Sequence, residues 1–223
     1  NSPDDHRQDI SFFVSDKCAD AVIFQSEWAK EQHQKFGFNL NKPYGIIPNS
    51  ADENIFNTKY EKDKSDKIRL VCTSWSSNKN KGFDIYSFLD QNLNFDKYGF
   101  TFIGNAPDIN FVNIKKIGPV PTIELAEHIK KKDIFITASK NDCCSNSLLE
   151  AMSCGLPAIA YNSGGNPEIV KAGGLLFDGK NDIIDKIGEC AANLGFFEKK
   201  ISVATTEETA KKYLDFLRNS KNV

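Results

Sequence analysis

From about residue 68 onward, short apolar runs alternate with amphipathic stretches, the rhythm of βαβ units wound around a parallel sheet. The apolar runs predict strands over 68–73, 100–103, 134–138 and 158–161, with shorter ones at 114–117 and 175–177. The amphipathic stretches predict helices over 82–93, 122–131, 146–154, 167–171 and 183–194. Together they describe one doubly wound α/β domain.

The first 45 or so residues follow another pattern: a helix up to about residue 20, a strand over 21–24, a helix over 26–36, and then Ile46-Ile47 before Pro48. Two helices and one or two strands cannot enclose a core of their own, so this segment must lean on another body. Trp28 and Phe36 are expected to be its core contacts, and 48–57 reads as a linker. A last helix over 206–217 carries Ala210, Tyr213, Leu214 and Leu217 as a single apolar stripe and also needs a surface to cover it. The lysine-rich stretch 59–67 is expected to be a solvated loop, and His6, His33 and His128, on polar stretches, are expected to face water.

Composition narrows the class. The 223 residues are 40% hydrophobic and 26% charged, which excludes a disordered or fibrous chain, and no apolar run approaches the length of a membrane helix. A net charge of −2 gives no global field to hold nucleic acid or draw the chain to a membrane beyond peripheral contact. Only Arg7, Arg69 and Arg218 are arginines, so a phosphate site would depend on lysine and backbone amides. The six cysteines are scattered with no C-x-x-C pair and are expected to be buried free thiols in a cytoplasmic protein. The chain starts at Asn1 and its one methionine is Met152, so it is expected to be a piece of something larger.

In an open parallel sheet, ligands bind beyond the carboxyl ends of the strands. Four loops there are rich in small and polar residues: 74–82, 104–107, 139–146 and 162–165. All four are expected to open onto one crevice. Lys81-Gly82 stands at a helix start, where an ammonium and free amides favour a diphosphate, although a solvated lysine would look the same. No phosphate-binding or dinucleotide glycine motif is present. Asp142 and Glu150 could both face the crevice. Ser147-Leu148-Leu149-Glu150 equally fits a capping box, and Asp142 equally fits an Asx-turn.

The stretch from Asp142 to Glu150, with Ser163-Gly164-Gly165-Asn166-Pro167-Glu168 downstream, resembles the E-x7-E and G-G-x-P-E motifs of family-4 retaining glycosyltransferases of the GT-B fold. Ile47-Pro48-Asn49-Ser50-Ala51-Asp52 resembles their interdomain I-P-N-G-V-D, and Lys81-Gly82-Phe83-Asp84 their phosphate-loop K-G-x-D. The resemblance implies a Rossmann-like C-terminal, donor-binding domain over 48–205. It also implies a remnant of an N-terminal acceptor-binding domain over 1–47, and a C-terminal helix over 206–223 that packs back on that domain.

Roles follow by matched position. Glu150 would hold the donor ribose, Asp142 would contact the transferred sugar, and Lys81 would neutralise the departing diphosphate in place of a metal. The backbone amides of Asn146, Ser147 and Leu148 would bind the same phosphates. Ser76, Asn78, Gly104, Asn105 and Val120 would complete the donor pocket. Trp75-Ser76 replaces the family's Gly-Arg, with Lys79 as a substitute cation; the first acid is Asp rather than Glu, and Ser50 replaces glycine.

The implied activity is transfer of a sugar from a nucleotide-diphosphate donor to a glycan, lipid or protein acceptor, with retention and without cofactor or metal. The implied partners are that donor, the acceptor and, in the alternative arrangement, a separate acceptor-domain chain, with no nucleic acid. The alternative is a non-catalytic or partner-dependent nucleotide-sugar-binding module. A third reading, a phosphosugar epimerase of related sheet topology, shares the acidic residues and a nucleotide pocket.

Overall fold

The computed structural model describes residues 7–220; His6 lies outside them. An N-terminal segment comprises α1 (Arg7–Lys17), β1 (Val22–Phe24), α2 (Glu27–Lys35) and β2 (Tyr44–Ile46). The main body then runs β3 (Ile68–Ser74), α3 (Phe83–Asn92), β4 (Tyr98–Gly104), β5 (Lys115–Ile117), α4 (Thr122–Lys130), β6 (Ile134–Thr137), α5 (Asn146–Ser153) and β7 (Ala158–Tyr161). It closes with α6 (Asn166–Val170), β8 (Gly174–Phe177), α7 (Ile183–Ala192), α8 (Leu194–Glu198) and α9 (Thr206–Ser220). The six strands β3–β8 form one parallel sheet in the order β5-β4-β3-β6-β7-β8. Every strand and helix read from the hydrophobic pattern is present, with ends shifted by up to three residues.

The sheet is buried on both faces because successive side chains along a strand point to opposite sides. Leu70, Cys72, Phe100, Phe102, Ile134 and Ile136 pack with α3 and α7 on one side. Val71, Ile103, Phe135, Ala158 and Ala160 pack with α4, α5 and α6 on the other. At the amino edge, Arg69 grips Asp133 with Nε and a terminal nitrogen, both at 2.9 Å, fastening the start of β3 beside β6. Asp90, only 4% exposed, accepts from the backbone N–H groups of Val112, Asn113 and Ile114 at 2.7–2.8 Å and so fixes the approach to β5.

In the N-terminal segment, β1 and β2 pair in parallel and cover a small cluster of Phe24, Ala29 and Phe38. Trp28 packs against it as expected, but Phe36 does not and is 65% exposed, because it follows the last turn of α2 on the outer side. His33 is also not simply solvated. Its ring lies against Phe12, Phe24 and Phe38, and Nδ1 donates to the Ala29 carbonyl at 2.7 Å. His128 is partly exposed beside Glu124. All six cysteines are free; four are buried, but Cys143 is half-buried, and Cys18 is exposed because it follows α1 at the outer edge of the segment. No helix among the described residues is long and apolar enough to cross a membrane.

Residues 48–57, expected to be a linker, are instead packed: Ala51 and Phe56 are buried in the core on the α5 face. Apolar side chains spaced within a polar, proline-started stretch anchor it without giving it regular structure. The start of α9 is tied to the same stretch, with Thr206 donating through N to Glu53 and through Oγ1 to the Ala51 carbonyl. Further along, Phe216 of α9 lies against Gly45 of β2. The last helix therefore bridges the linker and the N-terminal segment.

Segment and main body are tied together by Glu168, at the start of α6. Its carboxylate accepts from the backbone N–H groups of Glu27 and Trp28, both at 2.9 Å, which are the first two residues of α2. A negative charge on the first, unpaired amides of a helix satisfies them and complements the helix dipole. Glu168→Ala should weaken this docking by about 1 kcal/mol. Hydrogen exchange should then speed up over residues 22–46 while β3, β4 and β6 keep their protection; unchanged exchange over 22–46 would show that the cap carries no docking energy.

Candidate functional site

Three loops at the carboxyl edge are stitched into one surface. The Lys140 amide donates to the Asn80 carbonyl at 2.8 Å, joining the loop after β6 to the loop after β3. The Gly165 amide donates to the Asp142 carbonyl at 2.8 Å, joining the loop after β7 to the same place. Glycine makes both approaches possible. A Cβ on Gly82 would stand 2.3 Å from the Ala138 carbonyl oxygen, and the residue holds φ +71°; at Gly165 a Cβ would stand 2.2 Å from the Cys143 carbonyl oxygen. Gly164, at φ +66°, is pressed as closely on Asp142.

This packing puts Lys81 beside Asp142, with Nζ 3.1 Å from Oδ2. The other carboxylate oxygen of Asp142 accepts from the Cys144 amide at 3.3 Å, so Asp142 closes an Asx-type turn and meets the lysine at once. Both line a cavity of about 240 Å³ together with Thr73, Ser74, Trp75, Ser76, Ser145, Asn146 and Ser147. Helix α5 starts at this cavity with Ser145 as its N-cap and no side chain capping it. The N–H of Leu149 donates to the carbonyl of the N-cap Ser145 at 3.1 Å, closing the first turn. The amides of Asn146, Ser147 and Leu148 are thus left without helix acceptors, and an ammonium faces them across the cavity.

Glu150 is not a capping residue. Because α5 begins at Asn146 rather than after Ser147, Glu150 is its fifth residue, beyond reach of a box with Ser147. It lines a second cavity of about 550 Å³ with Asn49, Ser50, Asp52, Thr122, Asn146 and Thr209. One carboxylate oxygen is buried without a hydrogen-bond partner among the described residues, and burial pushes the Glu150 pKa up to about 7. Lys81 and Glu150 therefore line two neighbouring cavities rather than one, and Asn146 belongs to both.

The remaining expected residues are placed as follows. Ser76 lines the Lys81 cavity, and its carbonyl accepts from Ser74 Oγ. Asn78 caps the short turn Lys79–Lys81, and Leu148 has its side chain wholly in the core. Gly104 closes β4 onto Ser74, where a Cβ would be 2.0 Å from the carbonyl oxygen, and Asn105 donates from Nδ2 to the Trp75 carbonyl at 3.0 Å. Val120 packs against the core on the α5 face. The four loops therefore do not open equally onto one crevice: those after β3 and β6 line the Lys81 cavity, the loop after β7 braces it from behind, and the loop after β4 is bonded to Trp75. Sequence reasoning missed Asn49, Thr122 and Thr209 around Glu150. Of these only Asn49 carried a signal, its place in the stretch 47–52.

The sheet order and layers are those of the Rossmann-like C-terminal domain of GT-B glycosyltransferases. Residues 110–193 match the family model of the glycosyl transferases group 1. No curated protein sequence matches the chain. Among solved structures, the sucrose-phosphate synthase from Thermosynechococcus elongatus superposes with a TM-score of 0.77 at 16% identity, over 97% of this chain and 62% of that one. Anabaena HepE in complex with UDP-glucose gives 0.74 at 16% identity, over 97% and 67%. The pneumococcal O-GlcNAc transferase GtfA in complex with UDP and GlcNAc gives 0.72 at 17% identity, over 96% and 48%. The chain thus spans about half to two thirds of the length of these neighbours.

The unpartnered buried acid makes a stability prediction. Between pH 4.5, the ordinary value, and about 7, the folded protein keeps a proton on Glu150 that the unfolded chain has lost, so the folded state weakens as pH rises through that window. Glu150→Gln should match the parent near pH 4.5 and exceed it above pH 7 by up to about 3 kcal/mol. Chemical denaturation at pH 4.5 and 8 measures this; equal stabilities at pH 8 would show that the carboxylate is not desolvated.

Proposed function

We propose that the chain is the donor-binding half of a glycosyltransferase that moves a sugar from a nucleotide-diphosphate donor to an acceptor, with retention and without a metal. The observation that carries it is the convergence of the Lys81 ammonium and the uncapped start of α5 on one cavity, next to a second cavity holding Glu150. A diphosphate suits the first, since both the cation and the free amides favour negative charge. As the sugar leaves, charge grows on the phosphate, and Lys81 is placed to stabilise it. Asp142, released from Lys81, contacts hydroxyls of the transferred sugar, and Glu150 accepts two hydrogen bonds from the ribose diol. Support also comes from the match of 110–193 to glycosyl transferases group 1 and from structural neighbours in complex with UDP-glucose or with UDP and GlcNAc. Residues 1–47 and the α9 region then belong to the side facing the acceptor.

One observation favours a partner-dependent form of this reading. Ile10, Phe13 and Val14 on α1 and Leu214 and Leu217 on α9 are 48–61% exposed. Such a surface suits an acceptor-domain partner, and light scattering after size exclusion distinguishes a monomer from an assembly.

Calorimetric titration with UDP- and GDP-sugars tests the main reading. Binding of one of them is expected, weakened at least about tenfold in Lys81→Ala, the scale of losing a hydrogen bond to a charged group. Affinity should rise as pH increases through about 7, where Glu150 ionises and becomes a full acceptor, and Glu150→Gln should flatten that rise. Absence of binding by every nucleotide sugar would overturn the reading.

A further inference from the structure

A chain of side-chain hydrogen bonds leads from the N-terminal segment to the junction of the two cavities. Cys143 Sγ donates to Gln25 Oε1 at 3.0 Å, Gln25 Nε2 donates to Asn49 Oδ1 at 2.8 Å, and Asn49 Nδ2 donates to Asn146 Oδ1 at 2.7 Å. Each carboxamide accepts with its oxygen and donates with its nitrogen, so the direction chosen at one end propagates to the other.

The Cys143 end sets that direction. Burial and the neighbouring Asp142 carboxylate raise the pKa of the thiol, which therefore stays S–H and acts as a donor. Run the other way, the chain would set a Gln25 N–H against a thiol sulfur, only a weak acceptor, and would take from the S–H the oxygen it now donates to. At the far end, the oxygen of Asn146 is occupied by Asn49, and its nitrogen has no partner among the described residues. Asn146 lines both the Lys81 cavity and the Glu150 cavity. Turned this way, the carboxamide keeps its two N–H donors unbonded at the residue that the two cavities share, whereas the reversed group would leave an oxygen there, which an anion would repel.

We propose that Gln25 and Asn49 are positioning residues that hold the Asn146 side chain with its N–H donors turned toward the diphosphate of the donor. The inference rests on the nucleotide-sugar reading above. Gln25 precedes α2, the helix whose start is held by Glu168, so the seating of the N-terminal segment is communicated to the phosphate site through three side chains.

The test is a double-mutant cycle on the full chain, read by calorimetry with UDP, GDP and the matching nucleosides uridine and guanosine. Gln25→Met keeps the length and removes both polar atoms. It should weaken the nucleoside diphosphate about three- to tenfold and leave the nucleoside unchanged. Asn146→Ala should cost about tenfold. The double variant should bind no more weakly than Asn146→Ala alone, because without the carboxamide there is nothing left to orient. Cys143→Ser, which keeps a donor, should bind as the parent does. Asn49→Ala asks the same question if Gln25→Met does not fold. The side-chain amide resonances of Asn146 should move on adding the diphosphate and stay still on adding the nucleoside.

The inference is overturned if Gln25→Met leaves diphosphate affinity unchanged, weakens diphosphate and nucleoside equally, or adds fully to Asn146→Ala in a protein that binds the nucleotide. A parent chain that binds neither UDP nor GDP would instead remove the underlying reading, and the inference with it.

Discussion

Because the chain passes from β5 back across the sheet to lay β6 on the free side of β3, the loops leaving β3 and β6 turn toward opposite faces from adjacent strand ends. A crevice opens between them, and no other pair of strands in the order β5-β4-β3-β6-β7-β8 has this relation. Lys81 follows β3 and Asp142 follows β6, so their meeting is a product of strand order. The start of α5 reaches the same place because that helix is the one β6 feeds. Arg69 and Asp133 hold the opposite ends of these two strands together, which fixes how the crevice can open.

The site is electrically self-contained. Lys81 has Asp142 as its counter-ion, and the α5 amides face the cavity between them and Asn146. Glu150, one turn further into the helix, lies in a separate desolvated space, which is why two acids eight positions apart differ so much in environment. The half-buried Asp142 meets a cation, while one buried oxygen of Glu150 has no hydrogen-bond partner among the described residues. The pair offers one carboxylate already committed to a lysine and one whose charge state turns over near neutrality.

Much of this was legible beforehand. The period-two and period-3.6 patterns located the strands and helices, because burial on both sheet faces leaves long apolar runs and surface helices leave stripes. Lys81 and Asp142 lay on loops after strands and Glu150 on the helix that follows, each with a plain structural reading beside it, and the family resemblance supplied their roles. What stayed hidden depended on contacts between distant parts of the chain. Nothing near Glu168 says that it caps a helix 141 positions away, nor that Thr209 closes the Glu150 cavity. The capping-box reading of Glu150 needs Ser147 just before the helix, whereas α5 already starts at Asn146, the start that the hydrophobic pattern predicts. Phe36 and His33 exchanged their expected roles because polarity of neighbours does not say which side of a short helix meets the cluster.

The close packing of Gly164 and Gly165 on the carbonyl groups of Asp142 and Cys143 means that the acid's location is written in the peptide skeleton. Two main chains touch there with no side chain between them to act as a spacer. The loop around Asp142 can therefore exchange its decoration freely, whereas any added carbon on the glycines opposite would push the carboxylate out of the crevice by its own width.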